Sequence, residues 1–224
     1  MAARRAVKTI QDSIDLSGVL FEGEELPKIW NPAELFGNDA PVELEIGSGK
    51  GLFISNAAKS KPEHNFLGIE IGKKYARFCA ARIIAAESAD TGRSRRNAVM
   101  FCADAAEILR SYIPENAIES VHVYFPDPWW KRSHRKRRVL RTEVLKLIES
   151  RLRFGGVLHF WTDVEEYFNS TLKLMKEQTK MQGPVEVTEK EAENEFDYRT
   201  HFERRTRLHQ EKVYRTEFRK TQNY

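Results

Sequence analysis

Short apolar runs separated by stretches of helical length constrain this chain more than any other feature. Val42–Ile46 (VELEI), Phe66–Ile71 (FLGIEI), Ala98–Cys102 (AVMFC), Ser120–Phe125 (SVHVYF) and Gly156–Trp161 (GVLHFW) each read as a strand. Between them, GLFISNAAKS, KKYARFCAARIIAAES, AAEILRSY and RVLRTEVLKLIESRL carry apolar residues at three- and four-residue spacing. In the last of these, Val139, Val144, Leu145, Ile148 and Leu152 mark the stripe. Strand and helix in alternation predict an α/β fold, a mostly parallel sheet with helices on both faces. VEEYFNSTLKLMKEQTK predicts one more helix, stopped by Gly183-Pro184, and EVTEKEAENEFDY an exposed connection. KVYRTEFRK predicts a last strand, antiparallel because a hairpin-like return needs no crossover helix.

A chain of 224 residues with 41% hydrophobic content supports one sizeable domain, here residues 41–224, preceded by an extension over 1–40. That extension shows no clear sheet pattern, and Arg4, Arg5 and Lys8 in it are candidates to reach a substrate. It lacks the continuous apolar segment of a secretory signal, and no stretch approaches the ~20 apolar residues that span a bilayer, so a cytoplasmic protein is expected. Cys79 and Cys102 form no CxxC pair and read as buried, reduced thiols; no metal site is expected. Net charge is only +4, but seven Lys/Arg and no acid lie between Lys131 and Arg141. Segregation of that kind points to a local site for a polyanion.

In ELEIGSGKG, Gly47, Gly49 and Gly51 follow the first of these strands and open a helix, where the backbone turns sharply and a ligand approaches the main chain. A tight turn alone would also use glycines. The surrounding acids narrow the choice. Glu45 would repel a pyrophosphate and suits a cationic ligand such as the sulfonium and ammonium groups of S-adenosylmethionine. Glu70, 25 residues on, ends the next strand, where an acid accepts from ribose hydroxyls. Asp104 follows the third strand; an N-cap role and an adenine contact are compatible there.

FPDPWWKRSHRKRR emerges from the fourth strand at the same crevice. Pro126 and Pro128 leave Asp127 few backbone choices, as suits a positioned residue as well as a plain turn. Of Trp129 and Trp130, one is suited to flank a flat base and the other to pack. The cationic run beside a methyl-donor crevice is read as a phosphate contact whose binding falls steeply with salt.

These blocks, with CADAAEIL, GGVLHFWTD and YRTHFE, resemble the bacterial tRNA (guanine-N7-)-methyltransferases, in that family's order from about Val42 to the C-terminus. The resemblance implies a Rossmann-like class I methyltransferase with a seven-stranded sheet, S-adenosylmethionine as cofactor, and tRNA methylated at N7 of the variable-loop guanine. It implies that Glu45, Glu70, Asp104 and Asp127 bind the cofactor, beside Gly47 and Gly49, with Asp127 also catalytic. Lys131 and Asp163 match substrate-contacting positions, and Ser133, His134, Arg135, Lys136, Arg137 and Arg138 the RNA-contact segment. Thr200, His201, Phe202 and Glu203 match a motif that is usually Thr-Lys-Phe-Glu, with His201 in place of lysine. Two rivals stand beside this reading. Asp127-Pro128-Trp129 also resembles the Asp/Asn-Pro-Pro-aromatic loop of adenine amino-group methyltransferases, but Trp129 replaces the second proline. An RNA-binding module with a relic cofactor fold would have no need of three aligned carboxylates. Monomer and homodimer are both compatible with the sequence.

Overall fold

The computed structural model describes residues 14–88, 96–188 and 198–222. Arg4, Arg5 and Lys8 lie outside these residues, as does most of EVTEKEAENEFDY. The strands are β1 (Leu20–Glu22), β2 (Val42–Ile46), β3 (Asn65–Ile69), β4 (Ala98–Cys102), β5 (Ile118–Tyr124), β6 (Leu152–Thr162), β7 (Gln182–Glu186) and β8 (Tyr214–Arg219). The helices are α1 (Pro32–Phe36), α2 (Leu52–Ser60), α3 (Lys73–Ser88), α4 (Ala105–Ser111), α5 (Thr142–Arg151), α6 (Glu165–Gln178) and α7 (His201–Leu208). All eight strands form one sheet in the order β1-β4-β3-β2-β5-β6-β8-β7. Pairing is parallel from β1 to β6, and β8 runs antiparallel to both β6 and β7.

Two strands depart from the sequence reading. β1 adds an eighth strand at the β4 edge, from an extension expected to have no sheet pattern. Three residues are too short for a period to show; burial of Leu16, Val19 and Leu20 and the bond from Met100 N to Val19 O (2.7 Å) fix it there instead. β7 contains Gly183-Pro184, which therefore does not stop the preceding helix: α6 ends at Gln178. Proline is tolerated there because β7 lies at the sheet's other edge.

The two faces of the sheet differ in chemistry. Leu44, Ile69, Phe101, Val121 and Phe160 point to one side and pack under α4, α5 and α6 through Leu109, Leu145, Ile148 and Tyr167. Each such buried side chain contributes about 1.5–3 kcal/mol by leaving water. The other face is covered by α2 and α3 through Phe53, Ile54, Ala76 and Ile83. There the alternate positions of β2, β5, β6 and β8 are polar: register sets Glu45 beside His122, His122 beside His159, Tyr124 beside Trp161, and Arg215 beside Trp161. Cys79 is buried and Cys102 half-buried, both unbridged. Among the described residues no helix is long and apolar enough to cross a membrane.

Candidate active site

Strand order reverses between β2 and β5, since β3 and β4 step away on one side and β6 on the other. In an open parallel sheet this switch point opens a crevice at the carboxyl ends of the strands. Glu45 lies within β2, Glu70 just beyond β3, Asp104 beyond β4, Asp127 beyond β5 and Asp163 beyond β6, so five adjacent parallel strands each deliver an acid toward this edge.

The glycine loop is shaped by the acids around it. Gly47 and Gly49 have φ of 80° and 51°, and a Cβ on either would meet nothing closer than the Gly47 carbonyl at 3.9 Å, so an open trough runs along this backbone. A Cβ on Gly51 would come 2.4 Å from Cys79 Sγ, so this glycine lets α2 pack on α3. Glu70 holds the loop: its Oε2 accepts from Gly49 N (3.0 Å) and its Oε1 from Gly72 N (2.8 Å). A carboxylate offers about four lone-pair sites, so half of its capacity stays open for a ligand. Glu45 is 5% exposed; among the described residues its Oε2 is buried with no hydrogen-bond partner, while Ser48 and the Ile54 backbone lie near enough to the carboxyl to favour its charged form. Burial pushes its carboxyl up to about 8, helped by the charge of Glu70. At neutral pH it is therefore mostly protonated, and a cationic neighbour would ionise it. Asp104 caps α4, its Oδ1 accepting from Ala106 N (2.7 Å) and Glu107 N (3.3 Å), while its side chain stays exposed.

The loop after β5 is strained on both sides of its acid. Phe125 and Trp129 have φ of 50° and 46°, conformations that bulky residues adopt at a cost of about 1–3 kcal/mol each. Phe125 is tied by its N–H to the Trp161 carbonyl (2.8 Å), and its ring stacks against Phe202 at 6.4 Å. Trp129 is half-buried under the Arg137 guanidinium (5.1 Å) and against the His134 ring (5.9 Å). Asp127, exposed between the two prolines, is thus carried on a braced turn. Trp130 is 70% exposed and is the indole that faces outward.

The cationic run forms a 3-10 helix over Arg132–Arg137 with Lys131 at its N-cap, not the start of an α-helix, which begins only at Thr142. Lys131, Ser133, Arg135, Lys136 and Arg137 are exposed and His134 half-buried. Arg138 differs from its neighbours. It is 6% exposed, donates to the Pro128 carbonyl (2.8 Å), pairs with Glu166 (2.5 Å) and Ser170, and lies over the Tyr167 ring (4.4 Å). Its guanidinium braces the Asp127 loop from below and does not present itself to a phosphate.

The Thr200–Glu203 segment is divided in the same way. Thr200 Oγ1 accepts from Glu203 N (3.0 Å) and so caps α7, and Glu203 Oε2 accepts from Arg199 N (2.6 Å), one residue before the cap. Glu203 is buried, with Arg207 and Arg215 at 3.4 and 3.5 Å from its Oε1. His201 lies 3.3 Å from the Arg82 guanidinium, and Phe202 is half-exposed. The T-x-x-E spacing is itself a helix-start signature, legible before any family motif.

Sequence reasoning passed over one buried network. Glu43, two residues before Glu45 and on the same face, has its Oε1 bonded to Lys61 Nζ (2.8 Å) and His64 Nδ1 (2.6 Å) and its Oε2 to His122 Nε2 (2.6 Å). His122 Nδ1 in turn meets Tyr124 Oη (2.9 Å), and its ring stacks on His159 at 4.6 Å. Burial pushes the Glu43 carboxyl up, but His122 and Lys61 outweigh it and hold the group below the usual range. Burial keeps His122 neutral, down to about 3. The V-E-L-E-I alternation was the available signal: it puts both glutamates on one face.

A family model described as "Putative methyltransferase" matches residues 39–216. A tRNA (guanine-N(7)-)-methyltransferase of Rhodopirellula baltica is 44% identical over 97% of this chain and 80% of its own length. Another, from Klebsiella pneumoniae, is 38% identical over 76% of this chain and 74% of its own. The chain belongs to the tRNA (guanine-N(7)-)-methyltransferase family. Solved methyltransferases share its fold. The antibiotic-resistance methyltransferase Kmr aligns with a TM-score of 0.55 at 16% identity, over 87% of this chain and 95% of that one. Precorrin-6y C5,15-methyltransferase from Geobacter metallireducens aligns at 0.53 and 16% identity, over 82% of each. Numbered from β2, the seven strands β4-β3-β2-β5-β6-β8-β7 run in the order 3-2-1-4-5-7-6, and β1 is added outside them. Among the described residues no group of three His, Cys, Asp or Glu is placed to hold a metal ion.

Proposed function

We propose that this methyltransferase uses S-adenosylmethionine to methylate N7 of the variable-loop guanine of tRNA in the cytoplasm. The observation that carries the reading is Glu45, a buried carboxyl with an orphaned oxygen beside an open glycine trough. It fits a cationic ligand, and Gly47, Gly49, Glu70, Asp104 and Asp127 complete the set that would hold it. When bound, S-adenosylmethionine supplies a methyl group on a cationic sulfonium. Guanine N7 has an in-plane lone pair and no proton, so the site needs no strong base; its task is alignment. Asp127 stands where positive charge develops on the purine, and Asp163, after the neighbouring strand, accepts from the guanine N1–H and N2–H₂. Trp130 offers a face to the base, with Lys131 and Phe202 close in sequence to the two braced segments. Arg135, Lys136 and Arg137 meet RNA phosphates with Ser133 and His134 beside them, while Arg138, Thr200 and Glu203 position the groups that touch substrate.

Incubation with unmodified tRNA and methyl-labelled cofactor tests the reaction. Label in alkali-labile 7-methylguanine is expected; label in N6-methyladenine, which is neither cationic nor alkali-labile, would assign the chain to adenine chemistry. For the RNA contact, Arg135, Lys136 and Arg137 replaced together by alanine should flatten the plot of log affinity against log salt by roughly 2–3 units. Affinity for S-adenosylmethionine should not change. An unaltered slope would make the run an ordinary solvated surface.

A further inference from the structure

We propose that Glu166 is a positioning residue, one that ties the Asp127 turn to the start of α6 and shares its charge with the RNA-contact run; this role rests on the reaction proposed for the site. Glu166 is the second residue of α6, three residues after Asp163.

The cationic run is sorted by its own geometry. A 3-10 helix has three residues per turn, so side chains three apart eclipse one another. Over Arg132–Arg137 that period divides the run into rows, and Arg138 continues the turn by donating its N–H to the Arg135 carbonyl (3.0 Å). His134 and Arg137 lie against the Trp129 ring, at 5.9 and 5.1 Å. Arg135 and Arg138 both reach Glu166: Arg135 Nη1 is 3.3 Å from its Oε1, and Arg138 Nη2 donates to its Oε2 (2.5 Å). Ser133 and Lys136 remain on the outer row, exposed. One carboxylate thus joins two members of a run that is uniform only in charge.

The two cations differ in how readily they can leave. Arg138 is buried, and Glu166 is the carboxylate that answers it among the described residues. Arg138 Nη1 also donates to Ser170 Oγ (3.1 Å), one turn along α6, and the guanidinium lies over the Tyr167 ring (4.4 Å). Its Nε donates to the Pro128 carbonyl (2.8 Å). Breaking a buried pair strands a charge, so this guanidinium keeps its place. The Asp127 turn is thereby held to the first turn of α6, and Asp163 immediately precedes that helix's N-cap, Val164. The two acids assigned to the purine share one frame, and Glu166 holds its halves together.

Arg135 is the exchangeable partner. Its side chain and that of Glu166 are 48% and 43% exposed. A pair so exposed contributes little, and an RNA phosphate can take Arg135 at small cost. Glu166 stays charged through the exchange: the hydrogen bond from Arg138, ahead of the charges of Arg138 and Arg135, holds its carboxyl below the usual range. Once Arg135 turns to RNA, Glu166 serves Arg138 alone, and the brace under Asp127 tightens as the substrate arrives.

Glu166→Gln keeps the shape and removes the charge. In single-turnover assays at saturating tRNA its methyl-transfer rate should fall about 10- to 100-fold, the cost of misplacing reacting groups by about 1 Å. Its affinity for tRNA should rise about two- to fivefold, the worth of an exposed pair that no longer competes for Arg135. Affinity for S-adenosylmethionine should not change. General damage to the fold does not give slower chemistry with tighter RNA binding. In an Arg135→Ala background the same substitution should keep its rate loss and lose its gain in affinity. Should Glu166→Gln not fold, Arg138→Lys carries the test, since it keeps the buried charge but lacks the fork that spans Pro128 and Glu166. Its rate should fall to the same extent at unchanged tRNA affinity. A normal rate in the folded variant, or a rate loss accompanied by weaker tRNA binding, overturns the proposal. The wild-type protein assayed alongside separates the two readings: no label in guanine there contradicts the reaction itself, whereas a failed variant pattern beside an active wild type contradicts the role of Glu166 alone.

Discussion

Asp127→Ala should lower kcat/KM for tRNA by about 10³-fold, the upper range for removing a preorganised charge partner from a transition state. The melting temperature stays where it was, because the side chain is exposed and its turn is braced from elsewhere. Phe125 N–H is held by the Trp161 carbonyl and the Pro128 carbonyl by Arg138, and neither bond involves the carboxylate. Asp127→Asn separates charge from shape. It keeps the volume and the flanking prolines, and it should lose most of the rate if the negative charge is what the developing purinium needs. Near-full turnover of Asp127→Ala in single-turnover assays would remove Asp127 from the chemistry altogether.

Glu43→Ala has the largest expected effect on stability, a loss of about 1–3 kcal/mol, because it leaves the buried His122 ring N–H without its acceptor. Lys61, His64 and His122 all bond this one carboxylate. In a chain of this size the loss corresponds to a fall of roughly 5 °C in melting temperature. The dependence on pH carries the same signature. Glu43 is held below its ordinary 4.5, so its stabilisation is present above that value and lost as pH falls below it. His122 is held down at about 3 against its ordinary 6.5, so the folded state binds fewer protons and stability also falls from about pH 6.5 downward. Both act in one direction, toward acid lability. Thermal melts of wild type and Glu43→Gln should stay apart from pH 7 down to about 4.5 and converge only below that value. Parallel curves would show that the carboxylate contributes nothing specific.

Where a segment's own pattern decided its structure, the sequence could be read directly. AVMFC became β4 and KKYARFCAARIIAAES became α3 at the expected bounds, because a buried run and a long amphipathic stripe leave few alternatives. The acids at the strand ends were also visible, since parallel strands all end at one sheet edge, although their order there (Asp104, Glu70, Glu45, Asp127, Asp163) is set by the strand order and not by the chain. The missed features depend on distant partners. β1 and β7 are short edge strands specified by what they pair with. The positive φ of Phe125 and Trp129 defies local preference and is held by Trp161, Arg137 and His134. Arg138 looked like one more surface cation, and only the fold brings Glu166, from 28 residues away, to bury it. Glu203 was read through a family motif, although its spacing from Thr200 already announced a helix cap.

Proton release on cofactor binding measures most directly whether the buried acid of β2 receives a cation. Burial pushes Glu45 up to about 8, so near neutral pH it holds a proton that an adjacent positive charge would expel. Calorimetric titration with S-adenosylmethionine in buffers of different ionisation enthalpy should find close to one more proton released by wild type than by Glu45→Gln, the subtraction cancelling the ligand's own titration. Equal proton counts for the two proteins would mean that the methyl donor's positive charge does not sit against this carboxylate.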